Sequence, residues 1–231
     1  MDSEIYVIGR DSAPQYLRLD AGEARAMTLV VPPGTDARLS LEIDLCGPGA
    51  SLDLAGVYLC NDAERVDLRV LVRHTSGGCT SRQLFKGIVG GTARAAFDGL
   101  IYVAQDAQKT QAYQENHTLL LSGTAFAESR PQLEIYADDV KCSHGTSTGQ
   151  LDQEAMFYMR QRGISKANAR ILLMYAFAAE VSNHIGNEML HEHIDDMIKR
   201  RLRGELSSCE NCVLRCSHPK DYNFEIDYSK I

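Results

Sequence analysis

The sequence carries no surplus of positive charge: 24 Lys and Arg stand against 31 Asp and Glu, a net of −7. That excludes a nucleic-acid footprint and a polybasic membrane patch, both of which need clustered cations. No cationic stretch precedes an apolar one near Met1, so no secretory signal is expected. The longest apolar run, Ile171 to Ala179, is far short of the ~20 residues of a membrane-spanning helix. The phosphate-binding pattern Gly-x-x-x-x-Gly-Lys-Ser/Thr does not occur, so any ATP hydrolysis must come from another subunit. Without an export signal, the 7 cysteines read as reduced thiols or metal ligands and not as a disulfide framework. What remains is an acidic, thiol-rich chain expected in the cytoplasm. With 231 residues, 44% of them hydrophobic, it can bury ~70% of its unfolded surface, enough for one large domain or one with a small appendage.

Charge and periodicity divide the chain at about the same point. Residues 1–140 hold 12 Lys and Arg against 19 Asp and Glu, whereas residues 141–231 balance at 12 of each. From about Arg38 to His144 the hydrophobic signal repeats every two residues. Leu39 to Leu45, Ser51 to Leu54 and Val66 to Val70 alternate cleanly, and Gln83 to Val89, Gly99 to Ala104, Thr118 to Ser122 and Gln132 to Ala137 are also strand-like. Turn formers fall between them at Gly47-Pro-Gly, Asn61-Asp, Gly77-Gly, Gly90-Gly and Ser129-Arg-Pro. Strands without intervening helices leave a sandwich, a barrel and a parallel β-solenoid open. Gln111 to His117 would suit the turns of stacked coils, but no short consensus recurs to prove a repeat.

After Gly149 the period becomes helical. Asp152 to Arg162 is a short helix with Asp152 as N-cap and Gly163 as its stop; Ser165 caps a second, running to His184 or Ile185. A third, Glu188 to Arg203, lines up Leu190, Ile194, Met197, Ile198 and Leu202. Its terminal cations, Lys199 to Arg203, complement the helix dipole. The expected divisions are a β domain over 1–149, a helical domain over 150–207 and a Cys-rich tail over 208–231. That tail ends in an alternating Tyr222, Phe224, Ile226, Tyr228 that suggests a strand.

Several clusters offer chemistry. If a strand runs through Lys141-Cys142-Ser143-His144-Gly145, Cys142 and His144 share a face ~6.5 Å apart, close enough for joint soft-metal or sulfur chemistry when a second chain adds ligands. An imidazolium nearby would lower the thiol pKa; the plainer reading is a buried Cys beside a surface His. Gly145-Thr-Ser-Thr-Gly149 matches the nucleophile elbow of serine hydrolases, with Ser147 as nucleophile and Asp195 or Asp196 and His218 as partners in the right order. The upstream strands lack the α/β alternation that such an enzyme needs, so a turn of small residues is the simpler explanation. Cys209, Cys212, Cys216 and His218 place four soft donors within ten residues, enough for zinc or an iron site in a metal-binding interaction module, set against unligated cysteines in a tail. His191-Glu-His193 puts its histidines on nearly opposite sides of a helix and reads as surface. Cys46, Cys60 and Cys79 read as small buried hydrophobes, and Met156, Met159 and Met174 as helix core.

Three segments together resemble the SufB/SufD family of SUF iron–sulfur cluster assembly proteins. They are Gln108-Lys-Thr-Gln-Ala-Tyr-Gln114 with Asn116 to Ser122, the block from Pro131 through Glu134-Ile-Tyr-Ala-Asp-Asp-Val-Lys-Cys-Ser-His-Gly145, and Gly149 to Ile164. The likeness covers roughly residues 40 to 205. It implies a right-handed parallel β-helix followed by a small C-terminal helical domain, and a non-enzymatic scaffold subunit. It also implies pairing with the paralogue SufB through the β-helices, and binding of a SufC ATPase subunit near Phe157, Arg160 and Arg162. A transient iron–sulfur cluster would form at the SufB interface near His144, with Cys142 as a second candidate. The long N-terminal region that commonly precedes the β-helix is lacking, which implies a short member or a fragment. The block continues Gly-Thr-Ser-Thr-Gly where the family more often has Gly-Ala-Thr-Val-Gly, and the four-donor tail is not a general family feature. The sequence leaves open whether the chain forms a homodimer in isolation or pairs only with SufB.

Overall fold

A computed structural model describes residues 3–184 and 188–202. The four-donor cluster at Cys209, Cys212, Cys216 and His218 and the alternating segment at 222–228 lie outside the described residues. Eleven strands come first: β1 (Glu4–Val7), β2 (Tyr16–Leu19), β3 (Ala24–Val31), β4 (Ala37–Leu45), β5 (Ser51–Cys60), β6 (Arg65–His74), β7 (Thr80–Val89), β8 (Arg94–Val103), β9 (Gln111–Leu120), β10 (Phe126–Ile135) and β11 (Lys141–Gly149). Three helices follow: α1 (Gln153–Gln161), α2 (Lys166–Ser182) and α3 (Glu188–Leu202). Odd strands form one sheet in the order β1-β3-β5-β7-β9-β11, and even strands a second in the order β10-β8-β6-β4-β2. Every pairing is parallel and joins strands two apart in sequence. The chain therefore winds as a parallel β-helix, and the solenoid is the architecture realised among the three left open by patterning.

The patterning has a direct physical cause. Strands of the even sheet face the core on one side and water on the other, so β4, β6 and β8 alternate buried and accessible residues from end to end. Charged pairs occupy their outer face; Arg73, for example, reaches Glu42 and Asp44 at 3.0 Å each. In the odd sheet the alternation fails over Ala55–Cys60 and Leu84–Val89, where every residue is buried or nearly so, because helices cover the outside. Val30, Val57, Leu59 and Ile88 pack there against Met174, Ala178 and Val181 of α2. Left-handed turn residues recur at Gly22, Gly49, Gly78 and Lys109, with φ of 69°, 72°, 70° and 62°. They mark one corner of successive coils, and glycine fills three of the four because it takes that conformation without penalty.

Two expected turns are strand instead. Gln111 to His117 forms most of β9, since Ala112, Gln114 and Asn116 point inward and are buried. Ser129-Arg-Pro131 lies within β10, the edge of the even sheet, which is where a proline lacking its N–H is tolerated.

The helix starts follow the sequence. Asp152 accepts from the Glu154 and Ala155 amides, and Ser165 accepts from Asn168. Polar ties fix α2 on the sheet. Lys86 of β7, buried under the helix, meets Glu180 at 2.5 Å and lies 4.7 Å from the centre of the Phe177 ring. His184 lies 3.4 Å from Asp53, and that carboxylate raises the imidazole pKa. Tyr175 donates to Asp195, which also holds Lys199 at 2.6 Å, so the cationic run begins neutralised; Arg200 likewise pairs with Asp196 at 2.7 Å. His191 is half-buried, and its Nδ1 donates to the Ser182 carbonyl at 2.7 Å. Met156 and Met174 are buried, as are Cys60 and Cys79; Cys46 is half-buried. Among the described residues, no helix is long and apolar enough to cross a membrane.

His74, on the inner face of β6, is fully buried; Nδ1 donates to the Tyr102 carbonyl at 3.3 Å and Nε2 has no partner among the described residues. Burial pushes its pKa down to about 4. A folded pKa below the unfolded value means that the unfolded chain takes up the proton first as acid is added. Stability from this residue is therefore whole above pH ~6.5 and is lost as pH falls toward 4, by about 2–3 kcal/mol. Urea unfolding at pH 7.5 and pH 4.5 should show that loss, and His74→Leu should remove most of the difference; an equal loss in the variant would contradict the assignment.

Candidate functional site

The β-helix ends on β11. Among the described residues this strand pairs on one side only, with β9, and β10 likewise pairs only with β8. Both free edges lie at the same end of the solenoid. Strand alternation turns Cys142, His144, Thr146 and Thr148 to the inner side of β11, in register with Ala112, Gln114, Asn116 and Thr118 of β9. Cys142 and His144 thus share a face. Cys142 is half-buried against Val140, Leu133 and Ala137. Burial raises its thiol pKa, with partial relief from the Ala112 amide. The group is held as a thiol, and a thiolate favoured by a neighbouring imidazolium is not what the geometry gives. His144 is exposed, and its side chain makes no hydrogen bond with any described residue.

Behind these two residues the interior is polar. The Tyr58 hydroxyl, fully buried, donates to Asn116 Oδ1 at 3.1 Å and lies 2.8 Å from the Thr118 hydroxyl; burial raises its pKa to about 12. Asn116 donates to Ser129 across the coil at 3.0 Å, and Gln114 donates to Gln83 at 2.9 Å. Sequence reading missed this network because it took the start of β9 for a turn. Gln, Asn and Thr at alternate positions 114, 116 and 118 were the available signal. Among the described residues no three His, Cys, Asp or Glu side chains gather to hold a metal ion. What the open end offers is one thiol and one imidazole.

Gly145 to Gly149 is not a turn of small residues; all five lie in β11. The reason is the ladder, which continues in register along β9 to Leu119. Ser147 faces outward, and its Oγ lies 2.7 Å from Nδ1 of His117, whose Nε2 is 3.3 Å from Glu115. A hydroxyl, an imidazole and a carboxylate therefore meet, with partners other than Asp195, Asp196 or His218. The strained strand-to-helix elbow that exposes a nucleophile and aims backbone amides at an oxyanion is not there, because Ser147 sits within a regular strand.

On α1, Phe157 and Tyr158 are 62% and 59% exposed, so more than half of each ring is in water. The Arg162 guanidinium lies 4.8 Å from the Tyr158 ring centre, and Arg160 is exposed beside them. Phe157 and Arg160 thus lie on one short helix and Arg162 caps its C-terminus, with Tyr158 as a member that the sequence did not single out.

Residues 21–177 match the family described as SUF system FeS cluster assembly, SufBD core domain. The chain is 42% identical over 171 residues to the iron–sulfur cluster assembly protein SufD of Escherichia coli, covering 74% of this chain and 40% of that protein. An iron–sulfur cluster assembly SufBD family protein of Mycobacterium leprae is 29% identical over 204 residues, covering 85% and 49%. The chloroplastic protein ABCI7 of Arabidopsis thaliana is 32% identical over 187 residues, covering 80% and 39%. The chain spans less than half the length of each of these relatives.

Strand geometry at Ser147 gives an expected result with a fluorophosphonate probe, which labels activated serines: no adduct on Ser147 after prolonged exposure. Stoichiometric labelling, abolished in His117→Ala, would contradict the structural role.

Proposed function

The chain belongs to the SufBD core-domain family of the SUF iron–sulfur cluster assembly system, and on that premise we propose that it is a cytoplasmic scaffold subunit with no turnover of its own. Its partner across the open end of the β-helix is SufB; a second copy of the chain can take that place in isolation. A nascent iron–sulfur cluster, the cargo of the system, forms between the two subunits. The observation that carries this reading is the exposed His144, without a partner among the described residues, on the inner side of the last described strand, with Cys142 two residues away. A neutral imidazole offers a lone pair to iron, and a thiol can do so after losing its proton. Two donors make half a site, and a surface closing over β11 would add the rest.

The edges of β10 and β11, free among the described residues, support the same reading. Unpaired N–H and C=O groups along an edge strand favour the addition of another strand or sheet. The surface formed by Phe157 and Arg160 of α1 with Arg162 at its C-cap is the docking surface for SufC, whose ATP hydrolysis supplies the energy. An exposed ring among arginines is the composition of an interface anchor. Because α2 is bound to the odd sheet through Lys86 and Asp53, a movement imposed on the helices would reach the sheet that carries β11.

Two measurements test this. In a mixture with SufB, SufC and a source of iron and sulfide, His144→Ala is expected to lower cluster formation by at least about tenfold, as loss of a metal-site group does; unchanged yield would remove the site. Phe157→Ala combined with Arg160→Ala is expected to weaken SufC binding by at least about tenfold without altering the melting of the isolated chain. Binding at the level of the unaltered protein would move the SufC surface elsewhere.

A further inference from the structure

The inner row that ends at His144 contains two side chains that hydrogen-bond from strand to strand. Gln83, Gln114 and His144 hold successive register positions on β7, β9 and β11. Gln114 is 1% exposed, and its Nε2 donates to Oε1 of Gln83 at 2.9 Å. The amide is also pinned from the opposite sheet: Gly99 lies against it, and a Cβ there would come within 2.4 Å of Oε1. Nε2 is committed toward β7, which leaves Oε1 over. Among the described residues this oxygen is buried without a partner, as is Nε2 of Gln83 at the other end of the pair. A buried acceptor in this state calls for a donor.

In an in-register parallel stack, amide ladders run in one direction, each group donating to one neighbour and accepting from the other. Gln114 has given its N–H to Gln83, and the next inward position is His144, one strand spacing (~4.8 Å) away. His144 makes no side-chain hydrogen bond with any described residue. An unsatisfied acceptor and a donor without a partner are thus neighbours at the open end.

We propose that Gln114 is a positioning residue for His144: its Oε1 accepts the N–H of one ring nitrogen, which holds the neutral imidazole in a single tautomer. The other nitrogen then presents its lone pair to whatever closes over β11. An imidazole that binds metal commonly has its second nitrogen fixed this way. The purpose of the contact rests on the assembly role given to His144 above; the hydrogen bond itself does not.

The test is nitrogen-resolved NMR of the His144 ring in the whole chain, at a pH where the ring is neutral. A single tautomer is expected in the unaltered protein. Gln114→Met fills the same space without a strong acceptor and is expected to return the ring to the two-tautomer mixture of a free imidazole. Gln114→Glu restores an acceptor and is expected to keep the single tautomer. A free mixture in the unaltered protein overturns the proposal without any variant, and so does a single tautomer that survives Gln114→Met. If His144→Ala leaves cluster formation intact while Gln114 still sets the tautomer, the hydrogen bond is supported and only the assembly role fails.

Discussion

In-register stacking of parallel coils is the constraint on which the rest of this molecule depends. Each strand satisfies its neighbours on both sides, and each inner side chain is covered by its counterpart in the next coil. Among the described residues β10 and β11 keep free edges at the last coil, and no described strand covers the inner residues of β11. His144 is exposed for that reason, although its register partner Gln114 is buried.

The composition of the inner rows changes toward that end. One row runs Leu54, Gln83, Gln114, His144; the next runs Gly56, Phe85, Asn116, Thr146; a third runs Tyr58, Gly87, Thr118, Thr148. Aliphatic and aromatic groups fill the middle coils, and hydrogen-bonding groups take over in the final two. Buried polar groups are tolerated when they bond to one another, and here they do so through Tyr58, Asn116, Ser129 and the paired amides. A polar interior leading to an open end suits a surface made to be completed by another subunit. Outside the coil, buried Lys86 and its partner Glu180 hold the helices to the same sheet.

Much of this was legible in the residues. Alternation in β4 and β6 marked strands with one wet face, and the caps at Asp152 and Ser165 marked helix starts, because both signals depend on local geometry alone. The solenoid itself was not readable from pattern. Its repeat is carried by single turn residues, Gly22, Gly49, Gly78 and Lys109, separated by strands of unrelated sequence, and family likeness supplied the architecture instead. Polar residues hid the start of β9, since Gln and Asn suggest turns unless the interior they face is known to be polar. Pro131 hid the middle of β10, which is a strand only because it is an edge. The pairing of Ser147 with His117 crosses two strands and 30 residues, a distance at which sequence order gives no guidance.

The half-site at the open end can be tested without disturbing any side chain. Hydrogen–deuterium exchange of the β11 amides, Lys141 to Gly149, should be followed in the chain alone and in the presence of SufB. Slowing by at least about tenfold across β11, with little change along the far edge at β2, is the expected result. Unchanged exchange at β11 in a chain that has bound SufB through another surface would contradict a site completed by a partner at that strand.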